Sequence, residues 1–127
     1  MNSRPSALHH TNATKNELRI AGLFAGIGGF EVGLGRAGHK ASLFCEYDSA
    51  AQAVLRSKFP SIENINDVRE IDCLPTGIDL ISAGFPCQDL SSAGLKKGAE
   101  GERSSLVKEV FRILKKSRVE WLSLIHI

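Results

Sequence analysis

Apolar positions along the chain switch between short continuous runs and helical spacing. Leu18-Arg19-Ile20-Ala21-Gly22-Leu23-Phe24 is a run that ends at glycines, the pattern of a buried strand. Phe30, Val32, Leu34 and Ala37 follow in a short helical segment that stops near Gly38. Ala41 to Cys45 is a second run. Ser49 with Gln52 makes a capping box, with Asp48 as a rival cap. Ala50, Ala53, Val54 and Leu55 then recur at helical spacing until Pro60 ends the helix. Ile78 to Ala83 is a third run, and a glycine-rich loop is expected from Gly84 to about Glu102. Ser104 or Ser105 then caps a helix with Leu106, Val107, Val110, Phe111 and Leu114 on one face. Its other face carries Lys108, Arg112, Lys115 and Lys116, read as a solvated surface rather than a nucleic-acid contact. Trp121 to Ile127 looks like the start of a fourth strand. Strands alternating with helices predict an α/β chain with a parallel sheet in Rossmann-like layers.

Composition narrows the class. A length of 127 residues suits one small domain, and 43% hydrophobic with 24% charged residues excludes collagen-like, disordered and disulfide-scaffold classes. Met1 to Asn16 is polar and unpatterned, so a disordered leader is expected over 1–16 and one domain over 17–127. No run is apolar enough for a membrane span, and no apolar core follows the first basic residue, so a cytoplasmic location is expected. Three cysteines at unrelated spacings read as free thiols in a reducing compartment, not bridges or a zinc site. His126 has no partner ligands, and no metal is expected. A net charge of +2 neither points to nucleic acid nor excludes it.

Two turns carry candidate chemistry. Phe24-Ala25-Gly26-Ile27-Gly28-Gly29 lies between a predicted strand and a predicted helix. Glycines there let the backbone approach a ligand, and the helix that follows offers unpaired N–H groups. Glu46, at the end of the second run, can accept hydrogen bonds from ribose hydroxyls. The dinucleotide fingerprint wants a third glycine where this chain has Glu31, so a nucleoside without a pyrophosphate, such as S-adenosylmethionine, fits better. Singly, each feature has a plainer reading: a tight corner, a strand-end carboxylate at Glu46, a turn residue or helix cap at Asp67. Together they favour one nucleoside site at the carboxyl edge of the sheet.

The second turn is Gly84-Phe85-Pro86-Cys87-Gln88-Asp89-Leu90-Ser91. It puts Cys87 where such folds hold their chemistry, with Pro86 restricting the backbone before it. A cysteine of ordinary pKa is only about 3% thiolate at neutral pH, so a nucleophilic one needs a cationic or helix-end neighbour. Arg103 is the nearest candidate outside the loop. Cys45 and Cys73 read instead as buried small hydrophobes.

These segments resemble the N-terminal half of the catalytic domain of bacterial cytosine 5-methyltransferases acting on DNA, from Leu18 to about Leu122. Phe24-Ala25-Gly26-Ile27-Gly28-Gly29-Phe30 looks like the family's first motif, around the methionine end of S-adenosylmethionine. Glu46 with Tyr47 resembles its second, for the ribose hydroxyls and the adenine face, and Asp67-Val68 its third, for the adenine amino group. Gly84-Phe85-Pro86-Cys87-Gln88 resembles the fourth, which holds the nucleophile. Arg103-Ser104-Ser105-Leu106 resembles the fifth, with the arginine near the target base and the leucine backbone near the cofactor. The resemblance implies a Rossmann-like methyltransferase fold and DNA (cytosine-5-)-methyltransferase activity. It implies double-stranded DNA with a flipped cytosine as substrate, and a monomer at full length. It also implies a covalent adduct between Cys87 and carbon 6 of the base, with Ser92 to Gly101 as a lid.

The chain departs from the family after Leu122. The expected Glu-Asn-Val is replaced by Ser123-Leu124-Ile125-His126-Ile127, and Glu120 stands too early to substitute. The later arginine motif, the target-recognition domain and the returning C-terminal helix are not in the sequence. The fold is therefore expected to be incomplete at the C-terminus and the chain to be a fragment inactive alone. The rival readings are a cofactor-binding module without catalysis and a nicotinamide-dependent oxidoreductase. Glu31 and the Pro86-Cys87 turn argue against the latter.

Overall fold

The computed structural model describes residues 16–85 and 97–126. Five strands form one parallel sheet: β1 (Arg19–Leu23), β2 (Lys40–Cys45), β3 (Glu63–Ile65), β4 (Leu80–Phe85) and β5 (Trp121–His126), in the order β3-β2-β1-β4-β5. Helix α1 (Gly29–Arg36) links β1 to β2, α2 (Ser49–Lys58) links β2 to β3, and α3 (Lys97–Lys116) precedes β5. This is the expected α/β, Rossmann-like arrangement. The order reverses between β1 and β4, which opens a crevice at the carboxyl ends of the central strands.

Alternation along the central strands divides the core between the two faces of the sheet. Ala21, Leu23, Leu43, Cys45, Ile81 and Ala83 face Val110 and Ile113 of α3, together with Val68, Ile71, Leu74 and Ile78. Ile20, Gly22, Phe44 and Ser82 occupy the alternate positions, where Phe44 meets Phe59 edge-on with ring centroids 4.9 Å apart. At the opposite edge, Asp79 Oδ2 accepts from the Arg19 amide at 2.9 Å and fixes the start of β1 against β4.

Local signals acted largely as read. Helix α1 ends in a Schellman motif: the His39 amide donates to the Leu34 carbonyl and the Gly38 amide to the Gly35 carbonyl, both at 3.0 Å, with Gly38 at φ 98°. Helix α2 stops before Pro60, as expected.

Several expectations are corrected. Asp48 caps α2, accepting from the Ala51 amide at 2.8 Å. Gln52 does not complete a capping box; its Nε2 donates to the Glu46 carbonyl at 2.7 Å and to Asn66 Oδ1 at 2.9 Å. Strand β3 escapes a hydrophobicity scan because it is three residues long and polar at an edge. Strand β4 runs on through Gly84 and Phe85, and α3 already starts at Lys97, so neither Ser104 nor Ser105 caps it and the expected loop is shorter at both ends. On α3 the core residues are Val110 and Ile113, whereas Phe111 is exposed. The basic face of α3 is only partly a free surface. Arg112 Nη2 donates to the Val68 carbonyl at 3.3 Å, and Lys116 pairs with Asp72 at 2.9 Å, holding that carboxyl below its usual range.

Candidate functional site

The site begins where β1 ends. Phe24 has φ 52°, a left-handed conformation that costs a bulky residue energy and persists only where its surroundings enforce it. Gly26 and Gly28 follow at φ 60° and 82°, values glycine adopts freely. Backbone amides and the Glu46 carboxylate hold this turn. The Ala25 amide donates to the Cys45 carbonyl at 3.3 Å, the Gly28 amide to the Ala25 carbonyl at 3.0 Å, and the Gly26 amide to Glu46 Oε1 at 2.6 Å. A Cβ at Gly26 or Gly29 would meet nothing within 4 Å among the described residues, which leaves room there for a ligand.

Phe24 lines two cavities. One, of about 230 Å³, gathers Phe24, Tyr47, Asp67, Val68 and Leu106, all expected at the site, with Cys45, Asn66 and Arg69. The other, of about 400 Å³, is walled by the turn itself: Ala25, Gly26, Ile27 and Gly29, with Leu23, Phe30, Glu31 and Gly84. Tyr47 is 78% exposed, its ring free to lie against a planar group. Asp67 also caps the 3-10 turn Val68–Glu70, accepting from the Arg69 amide at 2.9 Å through Oδ1. The plainer reading of Asp67 as a cap is thus correct, and the residue lines the cavity as well.

Two expected residues stand apart from the cavity walls. Gly28 faces α2, where a Cβ would lie 2.9 Å from Leu55 Cδ2 and 3.0 Å from Phe59 Cε2. Glu46 turns its carboxylate to the backbone: Oε1 takes the Gly26 amide and Oε2 the Asp48 amide at 2.8 Å. Each carboxylate oxygen keeps a further lone pair for a hydroxyl donor. Pro86, Cys87 and Gln88 lie outside the described residues, as do residues 92–96 of the lid expected over Ser92 to Gly101; its remaining residues, 97–101, belong to α3 instead. Arg103 belongs to α3, but its side chain is likewise outside the described set.

Of the described cysteines, Cys45 is buried, as expected, whereas Cys73 is exposed, which overturns its reading as a buried hydrophobe. Burial first, then the negative charges of Asp67, Glu46 and Glu70, push the Cys45 thiol up to about 12. It stays protonated at neutral pH and is no nucleophile, which agrees with its reading as a small hydrophobe.

Sequence reasoning missed Glu31 as a structural element. It is 4% exposed, and Oε2 accepts from Ser82 Oγ at 2.7 Å. Its signal in the sequence was only the break in a glycine fingerprint. Asn66 was missed too, and Gln52 was read only as a capping partner, because the bonds that Gln52 makes to Asn66 and to the Glu46 carbonyl join separate elements.

An open glycine turn, two carboxylates and an exposed aromatic ring form a donor and acceptor set that fits a nucleoside with an amino-acid end. Comparison with known proteins agrees. The model of the C-5 cytosine-specific DNA methylase family matches residues 18–124. Type II methyltransferase M2.BsuMI of Bacillus subtilis is 47% identical over 109 residues, covering 83% of this chain and 28% of that protein. Type II methyltransferase M.Eco47II of Escherichia coli is 39% identical over 108 residues, covering 83% of this chain and 26% of the relative. The chain thus spans between a quarter and a third of the length of these two relatives. Among solved structures, a DNA modification methyltransferase encoded within an E. coli prophage superposes with a TM-score of 0.70 at 24% identity, over 87% of this chain and 32% of that one. An S-adenosylmethionine-dependent methyltransferase from Methanococcus maripaludis gives 0.53 at 15% identity, over 94% of this chain and 53% of that one. The fold is that of these enzymes, and the chain belongs to the C-5 cytosine-specific DNA methylase family.

Proposed function

We propose that this chain is the S-adenosylmethionine-binding and nucleophile-bearing part of a DNA cytosine-5 methyltransferase. On this reading residues 17–127 form one partial catalytic domain behind a leader over 1–16, and the complete enzyme acts as a monomer on double-stranded DNA. The observation that carries it is the convergence of Phe24, Tyr47, Asp67, Val68 and Leu106 on one cavity beside the open glycine turn.

In this reading the amides around Gly26 hold the methionine end, Glu46 the ribose hydroxyls, Tyr47 the adenine face and Asp67 the adenine amino group. The backbone at Leu106 closes the pocket. Bound S-adenosylmethionine supplies an electrophilic methyl group on a sulfonium. The Cys87 thiolate would add to carbon 6 of a flipped cytosine, making carbon 5 nucleophilic enough to take that methyl as the sulfur–methyl bond breaks and the sulfur leaves as a neutral thioether. Loss of the carbon-5 proton then restores the ring double bond and expels Cys87 as thiolate. Pro86 and Gln88 orient the nucleophile, and Arg103 lies by the base.

Calorimetric titration of the 127-residue chain with S-adenosylmethionine tests the cofactor site. Saturable binding, weakened roughly tenfold by Asp67→Ala, supports it. Binding of the reduced nicotinamide cofactor in its place would overturn it. Methyl transfer to DNA by these 127 residues alone is expected to be undetectable, because they span between a quarter and a third of the length of the methyltransferases they match. Cys87→Ala should leave cofactor affinity unchanged and abolish turnover in the complete enzyme; retained turnover would assign the chain to cofactor binding only.

A further inference from the structure

Glu31 is an expensive residue to place where it is. It sits in the first turn of α1, almost fully buried, and Oε1 has no hydrogen-bond partner among the described residues. An unpaired carboxyl oxygen in an apolar site costs free energy that an apolar side chain would avoid. The surroundings are nonetheless shaped to admit it. A Cβ on Gly22 would lie 2.7 Å from Glu31 Oε2 and 3.1 Å from Cδ, so any larger residue there would displace the Glu31 carboxyl. The partner, Ser82, is 1% exposed and lies on β4, across the point where the sheet order reverses. The bond between them spans 51 residues of sequence. Glu31 also walls the cavity formed by Gly26, Ile27 and Gly29.

We propose that Glu31 and Ser82 are a positioning pair: their hydrogen bond locks the start of α1 to β4, sets the glycine turn relative to the strand leading to Cys87, and thereby sets cofactor affinity. The inference rests on the reading of that turn as the S-adenosylmethionine site. The pair is the one described side-chain link between the helix that follows the turn and the strand that precedes the nucleophile. Burial pushes the Glu31 carboxyl above its usual range, against the opposing pull of the Ser82 bond. Glutamine is a close isostere of the carboxyl in this place and keeps an oxygen that can accept from Ser82 Oγ, which separates positioning from simple filling of space.

The test measures S-adenosylmethionine affinity by calorimetry and folding by thermal unfolding, in the full chain and in Glu31→Gln, Glu31→Leu, Ser82→Ala and the Leu/Ala double variant. Glu31→Leu and Ser82→Ala are each expected to weaken binding roughly tenfold, with the double variant no worse than either single one. Glu31→Gln is expected to stay within about twofold of the parent. Parental affinity in a folded Glu31→Leu, or losses that add in the double variant, would overturn the pair. If Glu31→Leu does not fold, Ser82→Ala decides alone, since it removes one oxygen and leaves the packing. A folded parent chain that binds no S-adenosylmethionine removes the cofactor reading and this inference together; a parent that binds alongside unaffected variants removes only the inference.

Discussion

The Gly26 amide donates to Glu46 Oε1 at 2.6 Å, so a carboxylate at the end of β2 holds the turn at the end of β1. Its second oxygen receives the Asp48 amide at 2.8 Å, and Asp48 in turn caps α2. One side chain thus sets the geometry of the glycine turn and of the next helix start. Glutamine can accept one of these two amides but presents an NH₂ to the other. Glu46→Gln is expected to cost about 1–2 kcal/mol in stability, the scale of a lost charge-assisted hydrogen bond. Urea unfolding reads the loss, and a midpoint equal to that of the parent would contradict it.

Glu31 makes stability depend on pH. Unfolded, it titrates near the ordinary glutamate value of about 4.3. Folded, burial raises it. The folded state therefore holds its proton to higher pH, and its contribution is complete below the unfolded value and lost as pH rises through the folded one. The melting temperature of the parent should fall relative to Glu31→Gln over that window, and the two should converge in parallel behaviour below it. Thermal unfolding from about pH 4 to about pH 9 measures this, and a difference independent of pH would refute it.

Thiol reactivity should divide the cysteines. Cys73 is exposed, whereas Cys45 is buried with its thiol pushed up to about 12. Iodoacetamide at neutral pH is expected to label Cys73 and to spare Cys45 until denaturant is added. Peptide mass mapping reports each site separately; rapid labelling of Cys45 in the folded chain would contradict its place in the core.

Glycines within one short span should respond in opposite directions. At Gly22 a Cβ would collide with the Glu31 carboxyl and lie 3.2 Å from Phe44 Cδ1. Gly22→Ala should destabilise by about 1–3 kcal/mol, as overpacking does. Gly33, inside α1, has open space where its Cβ would be. Gly33→Ala should stabilise by about 0.5–1 kcal/mol through helix propensity. Denaturant midpoints of the two variants shifting in the same direction would argue against this packing of α1 on β1.

Much of the architecture was legible because it is encoded locally. Buried parallel strands need continuous apolar runs, so Ile20 to Leu23 and Leu43 to Cys45 announce themselves. Gly38 ends α1 because a Schellman turn needs a left-handed residue. Strand β3 and the early start of α3 were not legible. The first is held by its pairing with β2, and the second carries Gly98 and Gly101, which read as loop.

The sequence by itself determined the alternation of strands and helices, the glycine turn, the order of the motif segments and the family they belong to. These depend on neighbours a few residues apart, where periodicity and turn chemistry act. Only the tertiary structure decided that Phe24, Tyr47, Asp67 and Leu106 share one cavity, that Glu46 spends its carboxylate on Gly26 and Asp48, and that Glu31 reaches Ser82. Those relationships join residues on different strands and helices. They arise from the parallel register of β1 with β2 and β4 and from the packing of α1 and α3 on that sheet, which set distant residues side by side and which no local pattern encodes.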